Sequence, residues 1–199
     1  MATATRVRVG LFSPSIVLAV AEETGGLARR GVEVETVPVT SSPAQFRDLM
    51  SGELDLAITN PDNVMLYRFI AANPLGSRHD VRILLGVDRG LGLSVHLAPG
   101  LGSLDQLRGG RLGVDVDASG FSFAAYDLLA RHGLRRDEDY TVVELGSTPR
   151  RLRVLLAGEC EATMLGAGND LLADDAGLTR AVRLTDEVSP YLATVVAAS

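Results

Sequence analysis

Three histidines, one cysteine and a scatter of acids are the side chains in this sequence suited to proton transfer, nucleophilic attack or metal binding, and their spacing argues against each. His79, His96 and His132 lie far apart with no short ligand spacing, and neither His79 nor His96 has an obvious carboxylate partner. Cys160 is the sole cysteine, which excludes an internal disulfide and any multi-cysteine zinc or iron–sulfur site. It opens a β-rich run and reads as a core thiol rather than a nucleophile. Asp115 and Asp117 stand two apart on a strand, hence on one face, as an acid–base pair, a cation site or plain rim residues. All 19 basic residues are Arg. The absence of Lys removes Schiff-base catalysis, a pyridoxal-phosphate anchor and a Walker-type phosphate loop, since each needs an ammonium. Gly166-Ala-Gly168-Asn-Asp-Leu171 follows a strand, but Leu171 stands where a dinucleotide fingerprint requires its third Gly. These counts leave no metal and no cofactor in the expected site.

Chemistry of another kind, neutral hydrogen bonding at helix starts, is written more densely. Its frame is an internal repeat. A shift of 106 positions aligns residues 6–63 with 112–169 without a gap, setting Pro43, Leu49, Gly52 and Glu53 over Pro149, Leu155, Gly158 and Glu159. Ser13, Ser41 and Asn63 fall over Ser119, Ser147 and Asn169 in the same register. Each copy reads strand, helix, strand, helix, strand. The first places strands at 6–12, 32–39 and 54–59, with helices from Ser13-Pro14-Ser15 to about Gly26 and from Pro43 to Gly52. The second places strands at 111–116, 140–145 and 160–165, with helices at 119–132 and 149–157. Residues 81–87, 93–97 and 191–197 are further β-rich runs.

Strands alternating with helices predict an α/β fold of two similar lobes with mainly parallel sheets. The lobes are expected at 1–87 plus 190–199 and at 93–186, joined by a Gly-containing hinge at 88–92. Ligands of such sheets sit beyond the carboxyl ends of the strands, where helix N-termini gather unsatisfied N–H groups. In the first lobe that rule selects Ser13, Ser15, Ser41, Ser42, Thr59, Asn60 and Asp62. In the second it selects Ser119, Gly120, Phe121, Ser147, Gly166 and Asn169. The competing reading is that these residues are caps and turns alone. Arg150, just inside its helix, is the one cation expected beside these ends.

The segments Arg8-Val-Gly-Leu-Phe-Ser13, Pro43-Ala-Gln-Phe-Arg-Asp-Leu-Met-Ser-Gly-Glu-Leu-Asp-Leu-Ala-Ile-Thr-Asn60, Ser103-Leu-Asp-Gln-Leu-Arg-Gly-Gly-Arg-Leu-Gly-Val-Asp115 and Pro190-Tyr-Leu-Ala-Thr-Val-Val196 together resemble the type II periplasmic-binding-protein family. The resemblance is to its branch of substrate-binding proteins for nitrate, taurine, aliphatic sulfonates and thiamine-pyrimidine precursors. It implies ligand contacts at Ser13, Ser41, Thr59, Asn60, Ser119, Gly120 and Gly166. It also implies C-terminal helices beyond the last strand, which this chain lacks, and an exporting leader that the N-terminus does not show.

The expected function is a small-molecule binding protein of the ABC-transporter type, closing two lobes on a small organic ligand, anions included, and serving an ABC permease if exported. The alternative is a cofactor-free cytoplasmic enzyme, a lyase or biosynthetic enzyme, on the same fold, with Asp88, Asp115 and Asp117 as candidate titratable groups. A net charge of −6 with scattered arginines gives no basic surface for nucleic acid. No run of residues is apolar enough to insert in a membrane. The expected location is cytoplasmic for the chain as written, and periplasmic or cell-surface if a leader has been removed. Oligomeric state is left open.

Overall fold

A computed structural model describes residues 4–88 and 92–199. The chain divides into two compact units, Met1–Val87 with Thr194–Ser199, and Asp88–Ala193. Of the hinge expected at 88–92, residues 89–91 lie outside the described residues.

The first unit is built on β1 (Thr5–Leu11), β2 (Val32–Pro38), β3 (Leu56–Thr59) and β4 (Arg82–Asp88), with α1 (Ile16–Glu23), α2 (Ser42–Ser51) and α3 (Pro61–Phe69) between them. Its fifth strand, β10 (Thr194–Ala198), comes from the far end of the chain and gives the order β2-β1-β3-β10-β4. β1 is parallel to β2 and β3, whereas β10 runs antiparallel to β3. The helix boundaries follow local chemistry. Ser41 caps α2 by accepting from the Ala44 N–H at 3.3 Å, Pro43 stands in its first turn, and Gly52 closes it at φ 78°, a left-handed conformation that glycine adopts without a Cβ clash. Phe46 and Leu49 of α2 and Val64 and Tyr67 of α3 fill the core against Ala57 and Val195, the Phe46 and Tyr67 rings stacking at 4.0 Å. Each such large side chain contributes about 1.5–3 kcal/mol by leaving water.

The second unit repeats the plan with β5 (Ser94–Leu97), β6 (Arg111–Val114), β7 (Thr141–Glu144), β8 (Ala162–Leu165) and β9 (Arg180–Arg183) in the order β7-β6-β8-β5-β9. Its helices are α4 (Gly120–Arg131), α5 (Thr148–Leu156), α6 (Asn169–Asp175) and α7 (Leu184–Glu187). Alternate residues of β8 feed different cores: Ala162 and Met164 join Leu128 and Leu129 of α4, while Leu165 joins Leu152 and Leu155 of α5.

The sheets are mainly parallel, as expected, with β10 running antiparallel to β3 and β5 antiparallel to both β8 and β9. Three expectations are corrected. α1 begins at Ile16, not at Ser13-Pro14, because Ser15 is extended at φ −96° and ψ 116° and its hydroxyl oxygen, not that of Ser13, takes the free N–H of the first turn. The five-element description of each copy stops short of α3, α6, α7 and β9. The repeat also carries a slip. Val9 pairs Leu56 and Leu112 pairs Ala162, so the first strands match three residues out of the 106-residue register that the later elements keep.

The slipped register explains two duplicated features. Arg8 and Arg111 each give a backbone N–H and a guanidinium to one acid, Asp55 at 2.7 and 2.9 Å and Glu161 at 2.6 and 3.2 Å. Gly10 and Gly113 then occupy one structural position. A Cβ would lie 2.4 Å from Leu54 at the first and 2.7 Å from Leu145 and 3.2 Å from the Cys160 sulfur at the second. Leu54 and Cys160 are themselves repeat partners, so each first strand is kept free of a side chain for the residue two positions ahead of the third.

Candidate functional site

In the first unit the parallel strands β2, β1 and β3 end side by side, and each runs into a helix. Ser15 caps α1, its oxygen accepting from the Leu18 N–H at 3.4 Å, and Ser41 caps α2. Asn60 caps α3 by accepting from the Asp62 N–H at 2.8 Å, which sets Asp62 in the first turn, where a carboxylate complements the helix dipole. Thr59 is buried and accepts from the Asn63 amide at 3.1 Å. Ser42 is buried with its hydroxyl 3.4 Å from that of Tyr67. Ser13 differs from all of these: its Oγ is buried and has no hydrogen-bond partner.

The second unit places Ser119, Ser147 and Gly166 at the ends of β6, β7 and β8 in the same way. Ser119 caps α4 by accepting from the Ser122 N–H at 3.2 Å, and its proton goes to the Asp115 carboxylate, to which Ser122 Oγ also donates at 3.2 Å. Ser119 can therefore accept from a ligand but has no proton left to donate. Gly120 is the buried first residue of α4, and half-buried Phe121 packs on the apolar core beside it. Gly166 is required by packing, because a Cβ there would lie 2.8 Å from Leu93. Asn169 turns its amide back to the Gly166 carbonyl at 3.1 Å. Ser147 occupies the cap position of α5 yet makes no side-chain cap bond.

The strongest polar feature of these ends was not singled out in the sequence. Gln45 and Arg151, one repeat apart, are both buried under the strand ends. Gln45 donates to the carbonyls of Gly10 and Ile58, each at 3.0 Å, and its Oε1 is buried without a partner. Arg151 donates to the carbonyl of Met164, the repeat partner of Ile58, at 3.3 Å, and to Gly146 O at 2.6 Å and Thr148 Oγ1 at 3.1 Å. Burial lowers its pKa, opposed by the charge of Asp115. Arg150, the cation expected here, is exposed instead. The repeat register was the signal: it set Arg151 over an amide in the middle of a helix, facing the sheet.

Of the groups weighed for catalysis, Asp115 is taken up by the Ser119 and Ser122 hydroxyls, and others are bonded or buried away from these ends. Asp117 pairs with Arg136 at 2.5 Å and accepts from the Tyr126 hydroxyl at 2.8 Å. Cys160 is buried, and desolvation pushes its thiol up to about 11. His96 does have a carboxylate partner, Asp174 at 3.1 Å, which sequence distance concealed. His132 meets Glu187 at the end of α4. Among the described residues no group of three or more His, Cys, Asp or Glu could hold a metal ion. None of their helices is long and apolar enough to cross a membrane.

Two α/β units, each with three parallel strands ending in helix N-termini and an antiparallel strand set among the rest, define the type II periplasmic-binding-protein fold. Residues 19–199 match the family described as ABC transporter, phosphonate, periplasmic substrate-binding protein, and the chain belongs to that family. The periplasmic nitrate-binding protein NrtA from Synechocystis PCC 6803 is similar in fold, with a TM-score of 0.81 at 16% identity over 98% of this chain and 55% of that one. The alkanesulfonate-binding protein SsuA from Xanthomonas axonopodis pv. citri, bound to MOPS, gives 0.74 at 19% identity over 100% of this chain and 67% of that one. The aliphatic sulphonate binding protein SsuA from Escherichia coli gives 0.69 at 17% over 100% and 65%. The chain thus spans between about half and two thirds of the length of these solved relatives. A search of the curated proteins finds no match.

Proposed function

We propose that this chain is the ligand-binding component of an ABC importer and that it takes a small organic oxyanion, a sulfonate or phosphonate, at its polar strand ends. The observation that carries the reading is the pair of uncommitted hydroxyls among otherwise committed caps. Ser13 Oγ is buried with no partner, and Ser147 holds a cap position without making the cap bond. A buried hydroxyl left without a partner costs free energy that a ligand acceptor recovers. Helix N-termini supply the remaining positive potential, so no ammonium is needed. The family's description and the sulfonates and nitrate named for the structural relatives point to the same class of ligand. The reading places the protein on the outer side of the cytoplasmic membrane, handing its ligand to a permease.

Calorimetric titration with alkanesulfonates, alkylphosphonates and nitrate tests this. At least one organic oxyanion is expected to bind, and Ser13→Ala and Ser147→Ala are each expected to weaken it roughly ten-fold or more, the scale of one hydrogen bond to a charged group. Because neither hydroxyl bonds within the protein, both variants should keep the wild-type melting temperature. A panel without binding, or two variants that bind like wild type, would sink the proposal.

A further inference from the structure

Arg151 is 4% exposed, and each acceptor its guanidinium bonds is neutral: the Gly146 carbonyl at 2.6 Å, Thr148 Oγ1 at 3.1 Å and the Met164 carbonyl at 3.3 Å. Gly146 and Thr148 stand on either side of Ser147. The rigid fork therefore grips the turn from β7 into α5 on both sides of the one hydroxyl there that makes no cap bond. The first unit supplies the contrast. Gln45 takes the place of Arg151, its side chain reaches Gly10 and Ile58 instead, and the repeat partner of Ser147, Ser41, uses its oxygen to cap α2.

The charge of Arg151 is not neutralised by contact. Asp115, the carboxylate whose field acts on it, is bonded to the Ser119 and Ser122 hydroxyls rather than to the guanidinium. A buried guanidinium keeps its proton, and away from water its field is weakly screened. Held at the N-terminus of α5, it adds a full positive charge to the positive end of the helix dipole. We propose that Arg151 is the specificity-determining cation of the second unit: it positions Ser147 through the two flanking residues and, from behind them, favours a ligand in proportion to its negative charge. A doubly ionised phosphonate is then held in preference to a singly charged sulfonate. The inference rests on the oxyanion reading above and adds to it a residue and an order of preference.

Coulomb attraction scales with the charge on the ligand, so loss of the guanidinium weakens a dianion by about the square of the factor for a monoanion. A merely loosened turn weakens both alike. Calorimetric titration with ethylphosphonate, above and below its second ionisation, and with ethanesulfonate under the same two conditions separates these cases. The sulfonate, whose charge is constant, corrects for titration of the protein itself. Wild type is expected to bind the doubly ionised phosphonate about ten-fold more tightly than the singly ionised one. Arg151→Gln, with a melting temperature near that of wild type, is expected to bind the sulfonate and the singly ionised phosphonate about ten-fold more weakly and the doubly ionised phosphonate about a hundred-fold more weakly. Equal losses for all of them, or no loss, overturn the proposal and leave the oxyanion reading standing. So does a wild-type preference for the singly ionised form, which is measured without any variant. Wild type that binds neither compound defeats the oxyanion reading and this inference with it.

Discussion

Arg151 stands where its repeat partner is a neutral amide, and the comparison shows what the site needs from it. Gln45 satisfies the third-strand carbonyl with no charge, at the place where Arg151 keeps a guanidinium among neutral acceptors. If those carbonyl bonds are its contribution, Arg151→Gln should be tolerated, because the shorter amide has a precedent at the equivalent carbonyl. Arg151→Leu leaves the carbonyls of Gly146 and Met164 and the Thr148 hydroxyl without their donor, at about 1–3 kcal/mol for each buried group. Urea unfolding should therefore rank wild type and Arg151→Gln together, with Arg151→Leu well below. Equal stability of the two variants would show instead that relief of the buried charge offsets the lost bonds.

At the scale of elements, Asp80 links the end of α3 to the start of β4 through Arg68 at 2.5 Å and Arg82 at 2.9 Å. Hydrogen bonds from Arg82 and then Arg68 hold its carboxyl down from 3.8 to about 2. A depressed carboxyl stabilises the fold at pH above its unfolded value and loses that contribution as pH falls through its folded one. Replacing it by Asp80→Asn should flatten the acid limb of a stability curve between about pH 4 and 2 and leave the shape unchanged above it; identical limbs would show that the link carries no stability. Most elements that flank the site were legible because caps and glycines mark them: Ser41 and Gly52 around α2, Ser119 at α4. What escaped was non-local. Three residues separate the register of β1 and β6 from that of the later elements, and only pairing with β3 and β8 shows it. Likewise no local signal tells that Ser119 spends its proton on Asp115 while Ser147 spends none, since sequence gives a hydroxyl's position but not its bond.

At the scale of the whole molecule, three strands of each unit run into helix N-termini, and under the proposed reading those polar ends hold the ligand. The two units are not built alike in sequence order. The second is one stretch, Asp88–Ala193, whereas the first needs Thr194–Ser199 to complete it. β10 sits between β3 and β4, and Val195 and Ala197 lie fully buried in the first core. Deleting residues 194–199 should open that sheet in its interior while leaving the second unit's amides protected, a pattern that hydrogen exchange read by mass spectrometry resolves segment by segment; uniform protection in the shortened chain would contradict it. On the ribosome the order of events follows. The half that is synthesised first must wait for residues 194–199 to emerge, holding β4 without its neighbour, while the half made later has every strand of its own sheet in hand. Synthesis therefore runs from N to C, but completion of the fold runs the other way.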